Sequence, residues 1–143
     1  MTLRLDWAVP CRYAEAVDGT ATIIGGGIDS FWPPEVPTDL GVFLMIRIVG
    51  PQDEFEEEHQ LEIRLVAPDS AEQQILQANF QAPPGARNPL AVPGMESAML
   101  VPAGVAFRAE EYGFYTLELY LDSQRVRSIP INVRPMSELG AAS

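Results

Sequence analysis

The sequence predicts an all-β protein, a two-sheet antiparallel sandwich of seven to nine strands, and three observations carry that prediction. Apolar residues recur at alternate positions over strand-length stretches: Tyr115, Leu117, Leu119 and Leu121 fall on one face of an extended segment while Thr116, Glu118 and Tyr120 fall on the other, the period of a half-buried strand. Eleven glycines and thirteen prolines punctuate the chain, and no long stretch repeats convincingly at helical spacing. Gly113 stands two residues before the inward Tyr115 at the start of such a strand, the arrangement of the tyrosine corner in immunoglobulin-like sandwiches. Alternation places Trp7, Leu44, Ile46, Ile63, Leu65, Tyr115, Leu117 and Leu119 in the core.

In chain order, Leu3, Leu5, Trp7 and Val9 alternate with Arg4, Asp6 and Ala8, a first strand that stops at Pro10. Tyr13 to Val17 and Thr20 to Gly25 flank Asp18-Gly19, the pair that a type I′ hairpin turn selects because both central residues need positive φ. Gly25-Gly26-Gly27 then reads as a bulge or a close backbone approach. A phosphate loop needs G-x-G-x-x-G or G-x-x-x-x-G-K before a helix; here Ser30 takes the third glycine's place, the chain has no lysine, and Pro33-Pro34 follows. Phe31 to Pro37 is a loop, since its prolines remove ladder donors and fix φ. Phe31 and Trp32 on that loop either cap an open end of the sandwich or form an exposed binding tip.

Leu40 to Val49 is the most apolar stretch. Leu40, Val42, Leu44, Ile46 and Ile48 take one face, and Phe43, Met45 and Val49 the other. An antiparallel sheet normally leaves one face polar, so the second face is covered by a loop of the same chain or by another subunit. Gly50-Pro51 ends the strand, and Asp53 to His59 reads as a solvated acidic turn before Leu61, Ile63 and Leu65 resume alternation. Its carboxylates are consecutive and lack the spacing and bend glycine of a calcium loop. Ser70 with Gln73 could open a short helix, but Leu76, Ala78 and Phe80 alternate, and a strand over Gln74 to Gln81 is expected. Pro83 to Gly94 is a long crossover whose Leu90 and Val92 could cover a sheet edge or the second apolar face. Met99 to Phe107 supplies another strand, and Asp122-Ser123-Gln124 turns the chain into a return strand with Ile129, Ile131 and Val133 inward. Residues 1–135 form one domain, and 136–143 a frayed tail.

Bulk properties limit the function classes. Twenty acidic residues against nine arginines give a formal charge of −11 over 143 residues, which opposes binding to phosphate backbones and anionic lipid surfaces; neither nucleic acid nor membrane is an expected partner. The N-terminus carries no apolar signal region, and no run approaches a membrane-spanning length of about 18 residues. One cysteine, Cys11, allows no internal disulfide and fits a reducing, cytoplasmic setting. His59 is the single histidine and lies in the acidic turn, a poor base for a catalytic triad. Cys11 reads as a small buried hydrophobe, and one Cys with one His does not make a zinc site. No catalytic centre, cofactor or metal is expected.

Tyr13-Ala14-Glu15 with Gly19, Ile23-Ile24-Gly25-Gly26-Gly27 with Asp29, the Pro33-Pro34 loop, the apolar strand at 42–48 and the closing Gly113-x-Tyr115 strand together resemble an uncharacterised family of small bacterial domain-of-unknown-function proteins. The resemblance spans nearly the whole chain and implies an immunoglobulin-like sandwich; it implies no activity, cofactor or catalytic residue. The reading is a non-catalytic interaction module, self-associating as a homodimer through Phe43, Met45 and Val49, with Phe31 and Trp32 as further contact candidates and the protein partner unspecified. The alternative is a small-ligand, glycan or metal-binding sandwich.

Overall fold

The structure, a computed structural model, describes residues 3–82 and 95–139. Ten strands and one helical turn follow in order: β1 (Arg4–Cys11), β2 (Tyr13–Val17), β3 (Thr20–Ile24), β4 (Ser30–Phe31), β5 (Thr38–Gly50), α1 (Gln52–Phe55), β6 (His59–Val66), β7 (Glu72–Phe80), β8 (Ser97–Ala109), β9 (Gly113–Leu121) and β10 (Gln124–Val133). Two sheets face each other, one ordered β1-β5-β8 and the other β4-β10-β9-β6-β7, while β2 and β3 form a separate two-stranded sheet. All pairings are antiparallel except the short β4–β10 contact. The predicted sandwich is therefore present, with one strand more than the expected range because β4 is only two residues long. The crossover expected over 83–94 lies outside the described residues. Residues 136–138, in the segment expected to fray, form a 3-10 turn.

Strict alternation builds the core. Val42, Leu44, Ile46 and Ile48 of β5 and Ala103, Val105 and Phe107 of β8 pack against Leu61, Ile63 and Leu65 of β6, Tyr115, Leu117, Leu119 and Leu121 of β9, and Ile129, Ile131 and Val133 of β10. Each fully buried Leu or Ile contributes roughly 1.5–3 kcal/mol of transfer free energy. The tyrosine corner forms as predicted: the Tyr115 hydroxyl donates to the Glu111 carbonyl at 2.7 Å and accepts from the Glu111 N–H at 3.3 Å. Gly113 at φ 146° starts the strand against Pro68, where a Cβ would meet the proline Cγ at 2.8 Å.

Trp7 is not in this core. The register of β1 on β5 slips between Leu5 and Trp7, and a bulge, by adding one residue, turns the following side chains to the opposite face. Leu5 and Ala8 therefore pack with the main core, whereas Trp7 joins a second cluster around Cys11, Ala14 and Met45. The strand also runs through Pro10 to Cys11 rather than stopping. β1 is an edge strand, and a missing N–H there can face outward.

The second cluster covers the other face of β5. The β2–β3 hairpin folds back over β5 and β8, setting Ala14, Ala21 and Ile23 against Met45, Phe43 and Leu100. Asp18 and Gly19 turn it with φ of 51° and 76°, as the Asp-Gly pair predicts. Gly25 comes so close to Arg12 that a Cβ would lie 2.8 Å from its Cγ, and Gly27 donates to the Pro10 carbonyl at 2.8 Å. The three glycines are thus a close backbone approach tying the hairpin to β1.

Candidate functional site

The structure separates the predicted interaction residues. Met45 is 0% and Val49 4% exposed, and Phe43 is half-buried with its ring edge-on to Tyr13 at 5.5 Å. The chain's own hairpin covers Met45, with Phe43 packed against the same cluster, and Val49 is buried apart from it. Phe31 and Trp32 end up together. Backbone bonds dock β4 beside β10, from Asn132 N to Asp29 O at 2.7 Å and from Arg134 N to Phe31 O at 2.9 Å, and Phe31 packs on the main core. Trp32 is half-buried, and the buried Pro33 stiffens the chain after it.

Between this loop and the β1–β2 corner lies an open cleft of about 380 Å³, walled by Arg12, Ile28, Ser30, Phe31, Trp32 and Gly41 with Cys11 beneath. Gly41 keeps the β5 side of the cleft free of a side chain. Arg12, which sequence reasoning passed over, is exposed at the corner, and no acidic group among the described residues pairs with it, unlike Arg4, Arg47, Arg64, Arg108, Arg125 and Arg134. Only the fold brings Arg12 to Trp32 from twenty positions away; no local spacing signals it. The Cys11 thiol has no exposed surface, reaches the Phe43 carbonyl at 3.5 Å and is pushed up in pKa by burial, with backbone bonds acting the other way.

At the opposite face of the chemistry, His59 corrects the sequence reading. The acidic turn is not a free loop: Gln52–Phe55 is a helical turn that inserts Phe55 into the core, and His59 opens β6 with 7% exposure. Its Nδ1 lies 2.6 Å from the Asp122 carboxylate and its Nε2 2.5 Å from the Glu54 carbonyl. A carboxylate and a backbone carbonyl both accept, so this geometry suits a ring that donates from both nitrogens. Burial acts against that charge, but the bonds to Asp122 and Glu54 outweigh it, and the pKa is raised. Asp122 in turn accepts from the Gln60 N–H at 2.9 Å, and Phe80 stacks on the ring at 5.5 Å. Glu54, Glu57 and His59 have potential ligand atoms within 4.8 Å of one another. With both ring nitrogens engaged by Asp122 and the Glu54 carbonyl, the arrangement reads as a structural clamp.

Two other buried carboxylates, Glu62 and Glu118, lie on adjacent strands. Arg64 holds Glu62 at 2.5 Å, Arg125 holds Glu118 at 3.2 Å, and the Tyr120 hydroxyl donates to Glu118 at 3.1 Å. The Arg64 guanidinium sits 4.2 Å over the Tyr120 ring. Glu62 is committed to an ion pair along its own strand and Glu118 to one across to β10, both on the outer face of the larger sheet.

No helix among the described residues is long and apolar enough to cross a membrane. No functionally curated protein matches the sequence. Among solved structures, an immunoglobulin-like protein from Pseudomonas aeruginosa is similar at 13% identity, covering 94% of this chain and 98% of that one with a TM-score of 0.41. The model of a family of unknown function, DUF6941, matches residues 6–134, and the chain belongs to that family.

Proposed function

We propose that the protein is a non-catalytic, cytoplasmic interaction module that holds an extended protein segment in the cleft beside Trp32. The observation that carries this reading is the juxtaposition of Arg12, which has no ion pair among the described residues, with two aromatic walls, Phe31 and Trp32, where the chain enters a proline-stiffened loop. Rigid aromatics and arginine concentrate binding energy at low ordering cost. In a chain of net charge −11, one free cation at a cleft selects a partner that presents a carboxylate next to an apolar side chain. Three features favour binding over catalysis: a histidine with both nitrogens engaged, an unexposed cysteine, and buried carboxylates locked to arginines. The same charge disfavours nucleic acid and anionic membranes. A cleft of about 380 Å³ also falls within the size of small-ligand sites, so a glycan panel belongs beside the peptides.

Selection from a random 12-residue peptide library on the parent protein, with counter-selection on Arg12→Glu and Trp32→Ala, tests the reading. Enriched peptides should carry Asp, Glu or a free C-terminus beside a large apolar residue, and should lose binding to both variants. Peptides that bind parent and variants equally, or a glycan that shifts the Trp32 emission while no peptide does, reject it.

A further inference from the structure

We infer that the segment held beside Trp32 binds as an added β-strand, bonded through its backbone to the free edge of β5 at Asp39 and Gly41, a mode that rests on the reading of the cleft as a protein-binding site. β8 pairs with β5 along its whole length, from Thr38 to Gly50. β1 covers the opposite edge only from Val49 to Phe43, and the chain then turns away at Arg12 into β2. The edge of β5 from Thr38 to Val42 therefore has no neighbouring strand among the described residues.

Two prolines fix which backbone groups that edge presents. A proline has no N–H, so it cannot sit in a hydrogen-bonded pair of an antiparallel ladder. Pro10 stands opposite Leu44 in the β1 ladder, and Pro102 opposite Met45 in the β8 ladder. Leu44 thus bonds toward β8 and Met45 toward β1, and alternation carries the sense of Met45 to Phe43, Gly41 and Asp39. The Pro10 carbonyl agrees, since it turns from β5 to accept the Gly27 N–H at 2.8 Å. Phe43 makes the last pair with β1, so the N–H and C=O groups of Gly41 and Asp39 point to the vacant side. There is room above Gly41 as well: beyond its chain neighbours, only the Val105 carbonyl oxygen, at 3.7 Å, would lie within 4 Å of a Cβ built there.

The cleft singles out this edge. Its walls include Gly41 and no residue of β3 or β7, the other strands with a free side, so the groups of β5 are the ones within reach of Arg12, Phe31 and Trp32. Charge and shape then set the occupant: an extended segment of another protein that carries a carboxylate and a large apolar side chain. The stem of Arg12 lies on the Gly25 backbone, where a Cβ would come within 2.8 Å of its Cγ. Asp39, the acidic residue of the same edge, pairs instead with Arg108 on β8 at 3.3 Å, which leaves the Arg12 guanidinium for the partner's carboxylate. The partner residue opposite Gly41 shares its face of the sheet and takes the room that a side chain there would fill. Main-chain bonds supply affinity in strand addition, and side chains such as these two supply selectivity. A second copy of the chain would bring a further charge of −11 to the contact, which disfavours it against a different protein.

Amide exchange and backbone methylation test the binding mode separately from the cleft itself. In the free chain the amides of Gly41 and Asp39 should exchange at least about tenfold faster than those of Leu40 and Val42, which bond to β8. Saturation with the strongest peptide selected on the parent from the random library should slow exchange at Gly41 at least about tenfold. Single N-methylations along that peptide should weaken binding at alternate positions, by about fivefold at each affected one. A peptide that still needs Arg12 and Trp32 but is indifferent to methylation at every position, or that leaves Gly41 exchange unchanged, overturns strand addition while the cleft reading stands. Protection of Gly41 in the free chain equal to that of Val42 overturns it too, because the edge is then already taken. If no peptide is selected, or if the selected peptides bind Arg12→Glu and Trp32→Ala as well as the parent, the cleft reading falls and strand addition with it. A peptide-free mass that rises with concentration for the parent and not for Arg12→Glu gives the edge to a second copy, which also overturns the inference.

Discussion

Replacing His59 with glutamine tests whether an imidazolium clamps the end of the sandwich where α1, β6, β7 and the β9–β10 turn meet. Its two donors hold Asp122 and the Glu54 carbonyl, and its ring lies on Phe80. Burial opposes the charge, yet the bonds to Asp122 and Glu54 leave the folded pKa above the ordinary 6.5. A folded pKa above the unfolded one means that the contribution is fully present below about pH 6.5 and is lost as pH rises through the folded value. Hydrogen bonds to charged groups contribute about 1.5–3 kcal/mol. Asp122 is 47% exposed, so screening places the expected loss near the lower end, about 1–2 kcal/mol. With a urea m-value of about 1–3 kcal/mol/M, that loss moves the midpoint by roughly 0.5–1.5 M. Urea titrations of parent and His59→Gln between about pH 5.5 and about pH 9 should give midpoints furthest apart at the acid end and converging as pH rises. A gap that stays constant, or widens toward alkaline pH, refutes the imidazolium.

Other perturbations read other parts of the fold. Tyr115→Phe removes the corner hydroxyl while leaving the ring, and should lower the unfolding free energy by about 1 kcal/mol; an unchanged midpoint would deny the corner its role. Gly113→Ala drives a Cβ into Pro68 at a positive φ and should cost about 1–3 kcal/mol, measured as a lower Tm. Met45→Glu places a carboxylate in the closed second cluster and should destabilise by about 3 kcal/mol or more, rather than yield a well-folded monomer; a folded variant of parental stability would show that the hairpin does not seal this face.

Much of the fold was legible because side-chain alternation reports burial directly. Tyr115 through Leu121 and Val42 through Ile48 kept a single period and fell where the pattern placed them. Trp7 failed for a local reason: one inserted residue in β1 reverses the faces, and no composition signal marks Asp6 as the bulge. His59 failed for a tertiary one. A run of acids looks solvated, but Phe55 within it is an anchor that draws the turn inward, and Asp122, the partner that makes a buried charge tolerable, stands 63 positions away. Arg12 was invisible for the same reason, since a lone arginine acquires meaning only when Trp32 closes beside it.

The two-faced pattern of β5 links these outcomes. A strand apolar on both sides needs two covers, and the sequence left a loop or a second subunit as the candidates for Met45. A hairpin of the same chain supplies the cover, but a hairpin cannot bury a sheet face without bringing strand edges of its own. Among the described residues the two hairpin strands pair only with each other, which leaves the outer edge of β3 without a neighbouring strand. Closing the apolar face thus exchanges a hydrophobic surface, which binds many things weakly, for a short hydrogen-bonding edge that accepts only a strand in matching register.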